Sequence, residues 1–277
     1  MWFNDLGFSE NPFDDSARHK LAGNENIMED IIYNINAGNI VFIEGKPGSG
    51  RTAILKKAIQ SFMGFGKVSF VECQKIKDLN IEDVLKGKYN FIERIFSKMP
   101  NGMIVLMDDA GELDKKNCER IKYFYDQNYI KSIIFTGESY NKANFTESLK
   151  DRVKKVIKLN DLKEYESLDI LNSRLNGKQL IPDDVAKEIF ERTDGNPKKF
   201  LNACEELCKT IAETKEEKVT LEHVNKLLPL DKKRSVEKST EKSEKKNAGK
   251  KKEDGPVKEE KPEDLRVIYE DAAERYY

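Results

Sequence analysis

Eight consecutive residues constrain this chain more than any others: Gly45-Lys46-Pro47-Gly48-Ser49-Gly50-Arg51-Thr52. The clustered glycines point to a tight turn whose backbone enters conformations that other residues resist. The apolar run Asn39 to Glu44 precedes the turn and Thr52 to Phe62 reads as a helix after it. A strand, a Gly-rich turn and a helix start bring several backbone N–H groups together at the positive end of a helix, which is the geometry that wraps a phosphate. The usual pattern, G-x-x-x-x-G-K-[ST], is met at every fixed position except one, where Arg51 replaces lysine.

Such a loop needs a sheet behind it, and the sequence supplies one. Lys67 to Cys73, Met103 to Met107, Ser132 to Thr136 and Val153 to Leu159 read as further strands. Between them lie helical patterns over Asn24 to Asn36, Ile81 to Met99, Asp114 to Tyr129 and Asn141 to Lys150. Apolar strands without alternation, separated by helices, predict a parallel sheet covered on both faces, hence an α/β fold. After Leu162 only helices are predicted: Lys163 to Leu175, Pro182 to Thr193, Pro197 to Thr214 and Leu221 to Leu228. The expected organisation is a nucleotide-binding α/β domain over 1–161, a small all-α lid domain over 162–230, and a tail over 231–277.

Charge sets the tail apart. From Asp231 to Tyr277, 27 of 47 residues are charged, 14 basic and 13 acidic, whereas the first 230 hold 35 basic and 37 acidic residues. The tail is expected to be a disordered linker, with Leu265, Ile268, Tyr269, Ala272 and Tyr276 at the spacing of a short docking helix. The basic block Lys245 to Lys252 is closely flanked by acids and reads as solvated. No apolar stretch is long enough for a membrane span, and Met1 to Asp14 lacks a basic start with an apolar stretch after it, so a secretion signal is not expected. Cys73, Cys118, Cys204 and Cys208 lack zinc-site spacing and are expected as buried thiols in a reducing, cytoplasmic setting.

Several residues carry candidate chemistry. Arg51 keeps the positive charge but is longer and planar where a lysine would be compact, so phosphate binding should survive better than hydrolysis. Lys46 offers a second charge in the same loop. Thr52 is placed to offer its hydroxyl to Mg²⁺, and Asp108, ending the third strand, to hold the same ion; the alternative for Asp108 is a carboxylate capping the next helix. Asp109 stands where a glutamate ordinarily polarises the attacking water. Its side chain is shorter by about 1.5 Å, one C–C bond, and a misplacement of that size can lower a rate by about a hundredfold.

With these residues in view, the chain resembles AAA+ ATPases, among them archaeal origin-recognition initiators and secretion- and transposon-associated ATPases, over about Phe8 to Leu228. Asn11-Pro12-Phe13 resembles the segment with which those families line the adenine. Ala22-Gly23-Asn24-Glu25 is similar to their Gly-Arg-Glu helix start, with Asn24 in place of arginine. The resemblance makes Thr136 the polar sensor, Arg152 a finger reaching a neighbouring subunit's site, and Lys198 the lid's second sensor, with Lys199 beside it. Read without the family, Thr136 is a strand-end hydroxyl, Arg152 a surface ion pair and Lys198 a solvated residue. The winged-helix domain of origin initiators is not visible after Leu230.

The resemblance implies ATP and Mg²⁺ as cofactors, with a homo-oligomer or another AAA+ protein as partner. It implies an ATPase, made slow by Arg51 and Asp109, that couples nucleotide state to assembly or remodelling of a partner or DNA complex. The alternative is an ATP-dependent scaffold or switch with little hydrolysis, acting on a protein partner through the tail. DNA contact stays open, since no recognition domain is visible.

Overall fold

The computed structural model describes residues 1–14, 24–62, 67–75, 79–86 and 101–229, all within one unit, Met1–Pro229. The expected tail, its docking helix, residues 22 and 23 and the part of the helix predicted beyond Lys86 lie outside the described residues.

Among the described residues there are five strands: β1 (Ile40–Glu44), β2 (Val68–Glu72), β3 (Met103–Asp108), β4 (Ile130–Gly137) and β5 (Val153–Lys158). All pairings are parallel and the order is β2-β3-β4-β1-β5. The continuous apolar runs follow from burial of both faces, because successive side chains on a strand point to opposite sides. Phe42, Val105, Met107, Ile133 and Phe135 enter one core, while Val41, Ile43, Ile104, Leu106 and Ile134 enter the other. β5 lies at an edge, and its exposed Lys154, Lys155 and Lys158 account for its polar sequence.

Helices α1 (Trp2–Asp5), α2 (Glu25–Asn36), α3 (Arg51–Ser61), α4 (Ile81–Lys86), α5 (Lys115–Asp126) and α6 (Glu147–Lys150) accompany the sheet in sequence. α2 and α3 cover one face, where Ile31, Ile35, Ile54 and Leu55 are buried. The predicted helix over Asn141 to Lys150 shrinks to α6, a correction with a local cause. Ala143 and Phe145 turn into the core beside Phe42 and Phe135, and the Asn144 N–H donates to the Gly111 carbonyl at 2.8 Å, so this segment packs against the sheet instead of closing helical turns.

Helices α7 (Glu164–Arg174), α8 (Asp183–Arg192), α9 (Pro197–Thr214) and α10 (Leu221–Leu227) pack around a third core containing Leu171, Ile189, Phe200, Leu207 and Ile211. Phe8 and Phe13, from the N-terminal segment, are buried in this helical core rather than against the sheet. α9 begins cleanly because Asn196 accepts the Lys199 N–H at 3.1 Å and Pro197 sits in the first turn with its φ already suited to a helix.

Candidate functional site

The loop leaves β1 at Glu44 and is tied at its base by the Gly45 N–H, which donates to the Gly137 carbonyl at 3.1 Å. Gly48 and Gly50 have φ of +79° and +99°, values that favour glycine. At Gly48 space also matters, since a Cβ would lie 2.5 Å from Asn196 Oδ1. α3 starts at Arg51 with no side-chain cap, so the first-turn N–H groups and the helix dipole form an anion-binding end.

Beneath the loop, one carboxylate collects two hydroxyls. Thr52 Oγ1 donates to Asp108 Oδ2 at 2.6 Å, and Thr136 Oγ1 donates to Asp108 Oδ1 at 2.6 Å. Thr136 Oγ1 also accepts the Asp109 N–H at 3.0 Å, and both Thr136 and Asp108 are buried. Strand order produces this chain. β4 lies between β1 and β3, so its tip residue Thr136, paired with Ile43 in register, stands between the loop and the β3 tip. Thr52 and Asp108 are hard oxygen donors of the kind Mg²⁺ takes. Among the described residues no group of three or more His, Cys, Asp or Glu is placed to hold a metal.

The two departures found in sequence turn out to be partners. Arg51 Nη2 lies 2.6 Å from Asp109 Oδ1, with side chains 11% and 29% exposed. Asp109 adopts a left-handed backbone, φ 51° and ψ 48°, uncommon for a residue with a side chain and costly unless the surroundings hold it. Burial pushes the Asp109 carboxyl above its ordinary range; Arg51 pulls the other way and the neighbouring Asp108 adds to the rise. Arg51 Nη1 and Ser49 Oγ are buried with no hydrogen-bond partner among the described residues.

The helical layer closes on the loop through α9. Asn196 Nδ2 donates to the Pro47 carbonyl at 2.8 Å, and the Lys198 N–H donates to the Gly48 carbonyl at 3.2 Å. The Lys198 side chain is exposed at the rim. Between loop and helices lies a cleft of about 880 Å³, lined by Phe13, Pro47 to Thr52, Asp108, Asp109 and Lys198 among the expected residues. Ile170, Arg174 and Leu201 line it as well, and the sequence reading missed them. Asn11 and Pro12 do not line it and instead brace Phe13. Asn11 Oδ1 accepts the Phe13 N–H at 2.9 Å, Asn11 Nδ2 donates to Glu205 at 3.0 Å, and the Pro12 carbonyl accepts from Arg174 at 3.2 Å. In the sequence Asn196 reads only as part of the break Asp194-Gly195-Asn196 between two helices, and nothing in the local pattern marks Arg174.

Besides Asn11 and Pro12, four expected residues fall outside the cleft lining, and the first of them, Thr136, is buried beneath it. Gly45 is buried at the loop's base. Lys46 turns away to Asp161, with Nζ at 2.9 and 3.0 Å from its two oxygens. Arg152 is held on the surface by Asp126 through two bonds of 2.9 Å, and its Nη1 donates to the Ser148 carbonyl at 2.8 Å.

No protein-family model matches the sequence, and no curated protein matches it either. Solved structures do. The Thermotoga maritima RuvB Holliday junction branch migration motor aligns with TM-score 0.59 and 15% identity over 80% of this chain and 74% of that one. Domain III of the Thermotoga maritima replication initiation protein DnaA gives 0.59 and 20%, over 79% and 96%. Cdc6p from Pyrobaculum aerophilum gives 0.64 and 15%, over 79% and 70%. All three are AAA+ ATPases. At these identities the likeness is one of fold, and it is the fold that the sequence resemblance implies.

Proposed function

We propose that this chain binds ATP with Mg²⁺ between the loop and the helical layer, hydrolyses it slowly, and couples its nucleotide state to assembly or remodelling of a partner or DNA complex. The observation that carries this reading is the hydroxyl–carboxylate–hydroxyl chain of Thr52, Asp108 and Thr136 directly beneath a loop on which α9 is docked. The loop amides and the start of α3 bind the phosphates, Phe13 borders the base, and Lys198 adds positive charge at the rim. Thr52 and Asp108 hold Mg²⁺, which when bound neutralises charge on the phosphates. Asp109 orients the water, and Thr136 fixes both acids by bonding the carboxylate of one and the N–H of the other.

The contacts from Asn196 and Lys198 to the loop carbonyls support a lid that follows the loop, so nucleotide occupancy would be felt by the whole helical layer. Two fold relatives, a branch migration motor and a replication initiation protein, support work on a DNA-bound complex. Arg152 completes a neighbouring copy's site, once it leaves Asp126. The Arg51–Asp109 ion pair favours a second reading, a nucleotide-dependent switch with very little turnover.

The test is ATP binding and phosphate release by the full chain, with and without DNA, together with its mass in solution. Turnover that rises with self-association or DNA supports the remodelling ATPase. Binding without turnover under every condition supports the switch, and absence of nucleotide binding overturns both.

A further inference from the structure

Arg51 and Asp109 are the positions at which the loop and the β3 tip each carry an unexpected residue, and the two are bound to each other at 2.6 Å. Their contact leaves the guanidinium half used: Nη2 meets Asp109, while Nη1 is buried with no partner among the described residues. A buried donor without an acceptor is destabilising, so this ion pair is one that a better anion can displace. A phosphate chain is such an anion, because it carries more charge than a carboxylate and presents several oxygens to a planar fork of donors.

On the other side of the pair the main chain is held: the Asp109 backbone is left-handed and its N–H is tied to Thr136 Oγ1, so the movable parts are the two side chains. We infer that Asp109 competes with the nucleotide's phosphates for Arg51, so that the pair is a gate: shut in the free protein, and opened when phosphate takes Arg51 and releases the Asp109 carboxylate into the cleft. This inference rests on the reading of the loop as a nucleotide phosphate site. It makes the two departures one coupled device. A lysine at position 51 offers a single ammonium without the fork, and a glutamate at 109 carries its carboxylate one methylene further, so either single reversal leaves the other residue without its fitted partner.

The experiment is a double-mutant cycle on the full chain with Asp109→Ala, Arg51→Ala and the combination. Binding of tripolyphosphate and of a non-hydrolysable ATP analogue is titrated, with thermal melts to establish folding. The expected result is binding about tenfold tighter in Asp109→Ala, mid-range for residues coupled in one ionic network, and no tightening when the same change is made on Arg51→Ala. Tightening of equal size in both backgrounds would mean that Asp109 merely repels phosphate, and would overturn the gate. Unchanged or weaker binding in Asp109→Ala overturns it too, while leaving the phosphate site standing. If Asp109→Ala does not fold, Asp109→Asn takes its place with a smaller tightening expected, since the amide oxygen still accepts from Arg51. Failure of every variant and of the parent chain to bind either probe overturns the nucleotide reading and the gate with it.

Discussion

Replacing Thr136 by valine removes one hydroxyl and almost no volume, which makes it the sharpest probe of the site's construction. Thr136 is 0% exposed, so the β4 tip stays packed and the change is confined to hydrogen bonding. Two bonds disappear: the donation to Asp108 Oδ1 at 2.6 Å and the acceptance from the Asp109 N–H at 3.0 Å. A bond to a charged group contributes roughly 1.5–3 kcal/mol and a neutral one about 1 kcal/mol, and the buried Asp108 oxygen has little access to water in exchange. The loss is about 3 kcal/mol, which for a folded body of this size lowers Tm by roughly 6–12 °C. Thr136→Ser keeps the hydroxyl and sheds a methyl, for about 1 kcal/mol. Thermal melts in chelator, where no metal can stand in for the hydroxyl, measure both variants. Valine losing no more than serine would refute the claim that Thr136 holds the two acids together, whatever its effect on turnover.

Three further outcomes are expected. Asn196→Asp keeps the cap on α9, since aspartate caps as well as asparagine, but cannot donate to the Pro47 carbonyl; Tm should move by about 2 °C or less while ATP affinity falls by roughly threefold, the scale of one lost neutral hydrogen bond. Equal affinity in the two proteins would separate α9 from the loop. Phe200→Ala, at a side chain 0% exposed in the helical core, should cost about 3–5 kcal/mol in urea unfolding, and a cost below about 1 kcal/mol would mean that the core is not built around it. Burial pushes the Cys73 and Cys208 thiols up to about 12 and raises those of Cys118 and Cys204, so at pH 8 about one in ten thousand of a thiol at 12 is ionised. A chromogenic disulfide reagent should therefore react slowly with the native chain and rapidly with four thiols after denaturation; rapid native labelling at Cys204 or Cys208 would contradict the packing of α9.

Local pattern carried far in this chain. The loop, the five strands and the helices after Leu162 were all legible, because apolar runs and helical periodicity are written in neighbouring residues. Misreadings arose where local and long-range demands diverge. Asn141 to Lys150 has helical composition, yet Ala143 and Phe145 are worth more to the core beside Phe42 than to a helix turn. Lys46 sits inside the loop but finds Asp161 from the far end of β5's connection. Arg174 reaches the cleft only because α7 folds back across the N-terminal segment, where it binds the Pro12 and Asp14 carbonyls at 3.2 and 3.0 Å.

What the sequence determined by itself was the inventory: a phosphate-type loop with Arg51 in it, an Asp-ended strand, a covered parallel sheet and a helical layer. These follow from short-range rules, namely glycine's freedom at positive φ, side-chain alternation along a strand and the 3.6-residue turn. What only the tertiary structure decided was who meets whom. The order β2-β3-β4-β1-β5 inserts Thr136 between the loop and Asp108, brings Arg51 onto Asp109, and turns Asn196 from a helix cap into a clasp on Pro47. Strand order and helix docking are set by the simultaneous burial of three cores, a property of the whole chain that no window of neighbouring residues contains.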